Sequence, residues 1–159
     1  MLTVNLICIG TLKEKYWRDA CAEYQKRLSR DCRFFITELS EARMPLNPSP
    51  AQIDAALREE GKRILSRAGA SHIIAMCIEG EELTSERLSS YFEKTSVNGV
   101  SVLSFVIGGS WGLSQEVKQR AHMRLSMSRM TFPHQLARVM LCEQVYRAFQ
   151  IAKDSPYHK

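Results

Sequence analysis

His72 to Ile78 is an uninterrupted apolar run of strand length, and it constrains the fold more than any other stretch of this sequence. A strand with one wet face alternates apolar and polar residues; a run without alternation reads as a strand buried on both faces, which needs helices above and below it. Leu2 to Ile9, rich in Val and Ile and only weakly alternating, and Val100 to Ile107 read the same way. Between them lie stretches of helical period. Glu14 to Leu28 places Trp17, Ala20, Cys21, Tyr24 and Leu28 three and four apart, and Ala51 to Ala68 carries Ile53, Leu57, Ile64 and Leu65 on a highly charged helix ended by Gly69.

Phe34 to Leu39 adds a short strand. Met44 to Pro50, with three prolines, is excluded from helix and central strand. Glu79-Gly80-Glu81-Glu82 reads as a turn closing the central run, and Thr84-Ser85 starts a helix that continues to Asn98-Gly99. A short helix over Ser114 to Ala121, a fifth strand near Arg124 to Met127, and a long helix opened by Pro133 complete five strands and five helices in alternation. This order predicts an α/β domain with a largely parallel sheet covered on both faces, and the length suits one domain over 1–159.

Charge is divided unevenly. Lys118 to Lys159 hold eight Lys/Arg against two carboxylates, whereas Met1 to Val117 hold fourteen against fifteen. The basic segment contains an apolar helix (Leu136, Val139, Met140, Leu141, Val145, Phe149) and ends in Ser155-Pro156-Tyr157-His158-Lys159, so it reads as a folded surface facing a polyanion. No run of eighteen apolar residues appears, and Leu2 to Ile9 lacks a basic leader and a cleavage site; a cytoplasmic protein with no membrane partner is expected. The cysteines Cys8, Cys21, Cys32, Cys77 and Cys142 are scattered and never paired as C-x-x-C, and the four histidines are isolated. Buried thiols without chemistry and no metal site are the expectation.

In an open α/β sheet, ligands bind beyond the carboxyl ends of the strands, which directs attention to the loops after Ile78, Ile107 and Met127. Gly108-Gly109 follows its strand directly and lets a flat ligand approach the backbone, although as plain structure it is a tight turn needing positive φ. Neither G-x-G-x-x-G nor G-x-x-x-x-G-K-[ST] occurs, so nicotinamide, flavin and ATP chemistry lack their usual sequence support. Leu125 to Gln135 mixes hydroxyls, methionines and free amides before a helix, suiting a small ligand wrapped by main chain. As plain structure it is a connection with Thr131 as helix cap.

The strings FVIGGSWGL (Phe105 to Leu113), LSMSRMTFPHQ (Leu125 to Gln135), EQVYRA (Glu143 to Ala148) and Tyr157-His158-Lys159, with GTLKEKYW (Gly10 to Trp17), closely resemble the ribosomal RNA large subunit methyltransferase H family over the whole chain. The resemblance implies a small SPOUT-class fold with a C-terminal trefoil knot, a homodimer, and S-adenosylmethionine as methyl donor. It implies a substrate as well: N3 of a pseudouridine in the helix 69 loop of 23S rRNA; a chain this small, with no separate RNA-binding domain, is expected to read that loop on the assembled 70S ribosome. Carried over by position, the cofactor residues fall on Met76, Gly108 with Gly109, and Met127, Ser128, Arg129, Met130, Thr131 and Phe132. His134, Arg138, Arg147, Tyr157 and His158 fall near the target nucleotide; the chemistry of a ring nitrogen that must lose its proton then makes His158 the candidate proton acceptor and Arg138 or Arg147 the candidate for stabilising charge on the base. Met76 departs from the Leu expected there but keeps its bulk. As plain structure Arg147 pairs with Glu143 one turn away, and Tyr157-His158-Lys159 is a frayed terminus. Two other readings share much of this pattern: a SPOUT enzyme acting on another RNA such as tRNA, and a non-catalytic ribosome-associated protein.

Overall fold

The computed structural model describes residues 1–158, and for His158 the main chain alone. Five strands, β1 (Thr3–Ile9), β2 (Arg33–Leu39), β3 (His72–Glu82), β4 (Val102–Ile107) and β5 (Met123–Ser126), form one sheet in the order β2-β1-β4-β3-β5, with every pair parallel. They alternate with α1 (Lys15–Leu28), α2 (Pro50–Ala68), α3 (Ser85–Val97), α4 (Gln115–Arg120) and α5 (His134–Ala152), and a 3-10 turn spans Pro156–His158.

The two-residue period of a strand sorts the side chains into two cores. Val4, Leu6, Cys8, Ile74, Leu103 and Phe105 face α1, α3 and α5, where Cys21, Leu88, Phe92, Leu141 and Val145 meet them. Ile7, Ile9, Ile73, Ala75 and Val106 face α2 and α4, against Ile64, Ala68 and Val117. Thus β4, most of β1 and the first part of β3 (Ile73, Ile74 and Ala75) are buried on both faces as their sequence required, whereas Met76 and Cys77 are only partly buried and Ile78 is exposed.

Local chemistry fixes the helix ends. Ser49 accepts the Gln52 amide while Gln52 returns a bond to the Ser49 amide, with Pro50 in the first turn; such a cap contributes about 1 kcal/mol. On α2 the buried face turns away from the expected stripe: Ala56, Glu60, Gly61, Ile64 and Ala68 are buried, and Ile53, Leu57 and Leu65 only partly. A Cβ at Gly61 would lie 2.4 Å from Ser114 Oγ, so the glycine lets the start of α4 sit against the helix. Glu60 accepts the Ala42 amide at 3.0 Å, and burial pushes its carboxyl upward.

Two expectations need correction. Glu79 to Glu82 does not end β3. The strand pairs with β5 through Met76↔Leu125, swings outward over the next four residues, and pairs again at Glu81↔Leu125 and Glu82↔Ser126. Gly80 permits this, since a Cβ there would stand 2.6 Å from the Leu125 carbonyl carbon. The second correction concerns α5: Pro133 occupies the cap position before the helix, and Thr131 makes no capping bond.

Candidate functional site

The carboxyl ends of β3, β4 and β5 open onto one cavity of about 780 Å³. The outward swing of β3 supplies Met76, Cys77, Ile78 and Glu79; the segment after β4 supplies Gly108 to Leu113; the loop after β5 supplies Ser126 to Ser128 and Met130 to His134; and Lys118 and Ala137 enter from α4 and α5. All three loops chosen from the sequence therefore converge. Arg129 is exposed and is absent from the wall, whereas both neighbours contribute to it.

Gly108 has a different purpose from the expected one. The positive φ of this turn belongs to Gly112, at +82°, whose amide donates to the Gly109 carbonyl at 3.1 Å. At Gly108 the constraint is space: a Cβ would fall 2.1 Å from the Gly112 carbonyl oxygen and 2.4 Å from its carbonyl carbon. The main chain thus folds back on itself and leaves a side-chain-free floor. The loop after β5 is shaped by its own hydroxyls, Ser126 Oγ donating to the Ser128 carbonyl at 2.9 Å and the Met130 amide donating to Ser128 Oγ at 3.0 Å.

Around the floor the wall is mostly apolar, with Met76, Leu113, Met127 and Phe132 partly or fully buried and Ile78, Trp111 and Met130 exposed at the mouth. Glu79 and Lys118 form its charged pair at 2.5 Å, and the lysine holds the Glu79 carboxyl below its ordinary range. Burial pushes the Cys77 thiol upward, which keeps it neutral and a poor nucleophile. Glu79, Cys77 and Lys118 were not singled out from the sequence. The signal was Gly80 among acidic residues, a pattern that also describes an ordinary turn.

Of the residues assigned to the target nucleotide, the four whose side chains are described (His134, Arg138, Arg147 and Tyr157) do not lie together within one chain. His134 stands at the cavity, on the first turn of α5. Arg138 is 1% exposed, pairs with Glu38 Oε2 at 3.0 Å and donates to the Gly10 carbonyl at 3.1 Å, so it points beneath the helix into the ends of β1 and β2. Arg147 lies thirteen residues beyond His134, roughly 20 Å along the helix. Its guanidinium pairs with Glu143 at 2.7 Å and stands over the Tyr157 ring at 5.0 Å. Tyr157 donates to Glu143 at 3.3 Å and meets Tyr146 edge-on at 4.8 Å; burial first, then Glu143, raise its phenol, so it remains a hydrogen-bond donor at neutral pH. The terminal turn is therefore docked onto α5 as far as Tyr157. The side chain of His158 and all of Lys159 lie outside the described residues.

Among the described residues, no group of three His, Cys, Asp or Glu is placed to hold a metal ion, and no helix is long and apolar enough to cross a membrane. Cys8, Cys21, Cys32 and Cys142 are buried free thiols, and burial pushes Cys8 and Cys32 up to about 12.

A family model described as predicted SPOUT methyltransferase matches residues 2–158. The chain is 52% identical over 159 residues to ribosomal RNA large subunit methyltransferase H 1 of Clostridium perfringens, covering 99% of this chain and 100% of that protein. Its Streptococcus uberis counterpart, ribosomal RNA large subunit methyltransferase H, is 45% identical over the same shares. Among solved structures, a probable methylase family protein from Haemophilus influenzae superposes with a TM-score of 0.56 at 12% identity, over 95% of this chain and 68% of that one. The tRNA (m1G37) methyltransferase of Aquifex aeolicus gives 0.55 at 12% identity, over 91% and 69%; both likenesses speak to the fold alone. With the parallel sheet, the glycine floor and the three converging loops, these matches show that the chain belongs to the SPOUT methyltransferases, and within them to the ribosomal RNA large subunit methyltransferase H family.

Proposed function

We propose that this chain, as one domain and as a homodimer in the cytoplasm, methylates N3 of a pseudouridine in the helix 69 loop of 23S rRNA on the assembled 70S ribosome. The family uses S-adenosylmethionine, and the cavity suits that donor: the Gly108 floor admits a flat base, Met76, Leu113 and Phe132 offer apolar contact, and Met127, Thr131 and Phe132 line the wall from a loop whose main chain lies close to it. When bound, the donor supplies an electrophilic methyl on a sulfonium. What the chain's own residues supply is alignment, exclusion of water and proton handling.

N3 of a pseudouridine carries a proton between two carbonyls and must lose it before attack. A cation near those carbonyls stabilises the resulting charge, and a base takes the proton. Arg147 is the better placed of the two arginines for this role, because Arg138 is buried inside the fold with its two terminal nitrogens on Glu38 and Gly10. His158, whose side chain lies outside the described residues, is the proposed base.

The observation that carries the dimer is the separation of the cavity from the Arg147–Tyr157 cluster along α5. One subunit cannot bring both to one nucleotide, whereas a two-fold partner can place its terminal turn over the other's cavity. Leu136 and Met140 leave part of α5 apolar and only partly buried, a face suited to such a partner. Mixing a Gly108→Ala subunit with an Arg147→Ala subunit tests this. Each alone is expected to be inactive, and random pairing should restore about a quarter of wild-type turnover, because half the dimers carry one intact composite site. No recovery in a mixture shown to exchange subunits contradicts the composite site.

A further inference from the structure

His72 opens β3 and His122 stands immediately before β5, so the two strands that lead to the cavity both start at one pair of imidazoles. The rings stack 4.2 Å apart with 25° between their planes. His122 closes a reciprocal pair of bonds with the neighbouring strand: its amide donates to the Ile73 carbonyl at 2.8 Å, and its Nδ1 accepts the Ile73 amide at 3.0 Å. The β3–β5 register begins at the next pair, Ile74↔Met123.

That arrangement depends on both rings being neutral. A protonated imidazole has no lone pair at Nδ1, so charging His122 removes the bond from Ile73. Charging either ring sets a cation against its stacked neighbour. The groups that face the pair offer little compensation: α3 presents the Tyr91 hydroxyl, 2.5 Å from His72 Nε2, and burial raises that phenol and keeps it neutral. The second cavity, which both histidines line at the amino ends of β3 and β4, carries Ser71 and Ser101 and no other ionisable side chain. Burial, then His122, lowers the proton affinity of His72. A group whose folded pKa is depressed gives stability that is present above its free pKa and lost as pH falls. His122 is exposed, so protons reach the pair without unfolding.

We propose that His72 and His122 form a proton-sensitive clamp on the amino ends of β3 and β5, and that protonating it loosens the cavity these strands build at their other ends. The second half rests on assigning that cavity to the methyl donor. The test is hydrogen exchange of the full chain at pH 7.5 and 5.5, corrected for intrinsic rates, beside calorimetric titration with S-adenosylmethionine. These values bracket the ordinary imidazole pKa of about 6.5. Exchange over residues 73–76 and 123–131 should quicken severalfold at the lower pH, and donor affinity should fall by a similar factor. In His122→Asn, whose amide oxygen keeps an acceptor near the Nδ1 position while His72 still titrates, both responses should shrink markedly. In His72→Phe, which keeps a stacked ring but removes one titrating group, they should shrink. Wild-type exchange that is unchanged between the two pH values, or an undiminished response in the folded variants, overturns the clamp. Should the donor bind at neither pH, the cavity assignment fails while exchange still decides the clamp.

Discussion

Gly108→Ala is expected to lower methyl transfer at least about a hundredfold and to weaken donor binding with it, because the added methyl meets main chain that has no room to yield. Its Cβ would stand 2.1 Å from the Gly112 carbonyl oxygen, so the turn from Gly109 to Gly112 must open and displace the cavity floor. Gly109→Ala is the internal control. There the nearest atom is Ile9 Cγ2 at 3.4 Å, an ordinary contact, and φ is not positive. Binding by calorimetry and single-turnover methyl transfer should therefore separate two adjacent glycines that the sequence presents as equivalent. Similar losses at both positions would mean that the fold-back of the loop is not what the cavity requires.

Arg138→Met is expected to destabilise the fold by about 3 kcal/mol, near the lower end for a broken buried pair, because Glu38 keeps 35% of its side chain exposed and can regain water. The guanidinium ties α5 to the loop after β1 through the Gly10 carbonyl, and Glu38 Oε2 also accepts the Leu12 amide at 2.8 Å. Nε of Arg138 is buried without a partner, a cost that methionine removes. Arg138→Met combined with Glu38→Gln should consequently lose less than Arg138→Met alone. Urea unfolding at fixed protein concentration measures both. A stable Arg138→Met with abolished turnover would instead return this arginine to the target nucleotide.

Much of the fold was legible because the central strands announce themselves: a run such as His72 to Ile78 has no stable place except between two helical layers. The three ligand loops followed from strand polarity alone, and the cavity lies where their ends meet. The continuation of β3 past Ile78 was hidden, because Glu79-Gly80-Glu81-Glu82 has turn composition and only the close approach of Leu125 explains its glycine. The shifted face of α2 was hidden for a related reason: hydrophobic period marks large side chains, while this interface selects small ones at Ala56 and Gly61.

The basic terminal segment is less free in charge than its residue count suggests. Lys118, Arg138, Arg147 and Lys153 pair with Glu79, Glu38, Glu143 and Asp31, and three of those carboxylates come from the first half of the chain. A charge imbalance along the sequence is thus partly neutralised across the fold, and the surface left to face RNA is narrower than the residue count suggests. The separation of Arg147 from His134 was legible, since the long helix opened at Pro133 already carried both.

Transfer of labelled methyl from S-adenosylmethionine tests the central claim most directly, using 70S ribosomes that lack the modification, isolated large subunits, naked 23S rRNA and bulk tRNA in parallel, followed by mapping of the labelled nucleotide. Label is expected at N3 of the helix 69 pseudouridine in 70S particles, with far less on naked rRNA. Label confined to tRNA, or equal rates on naked rRNA and assembled ribosomes, would contradict it.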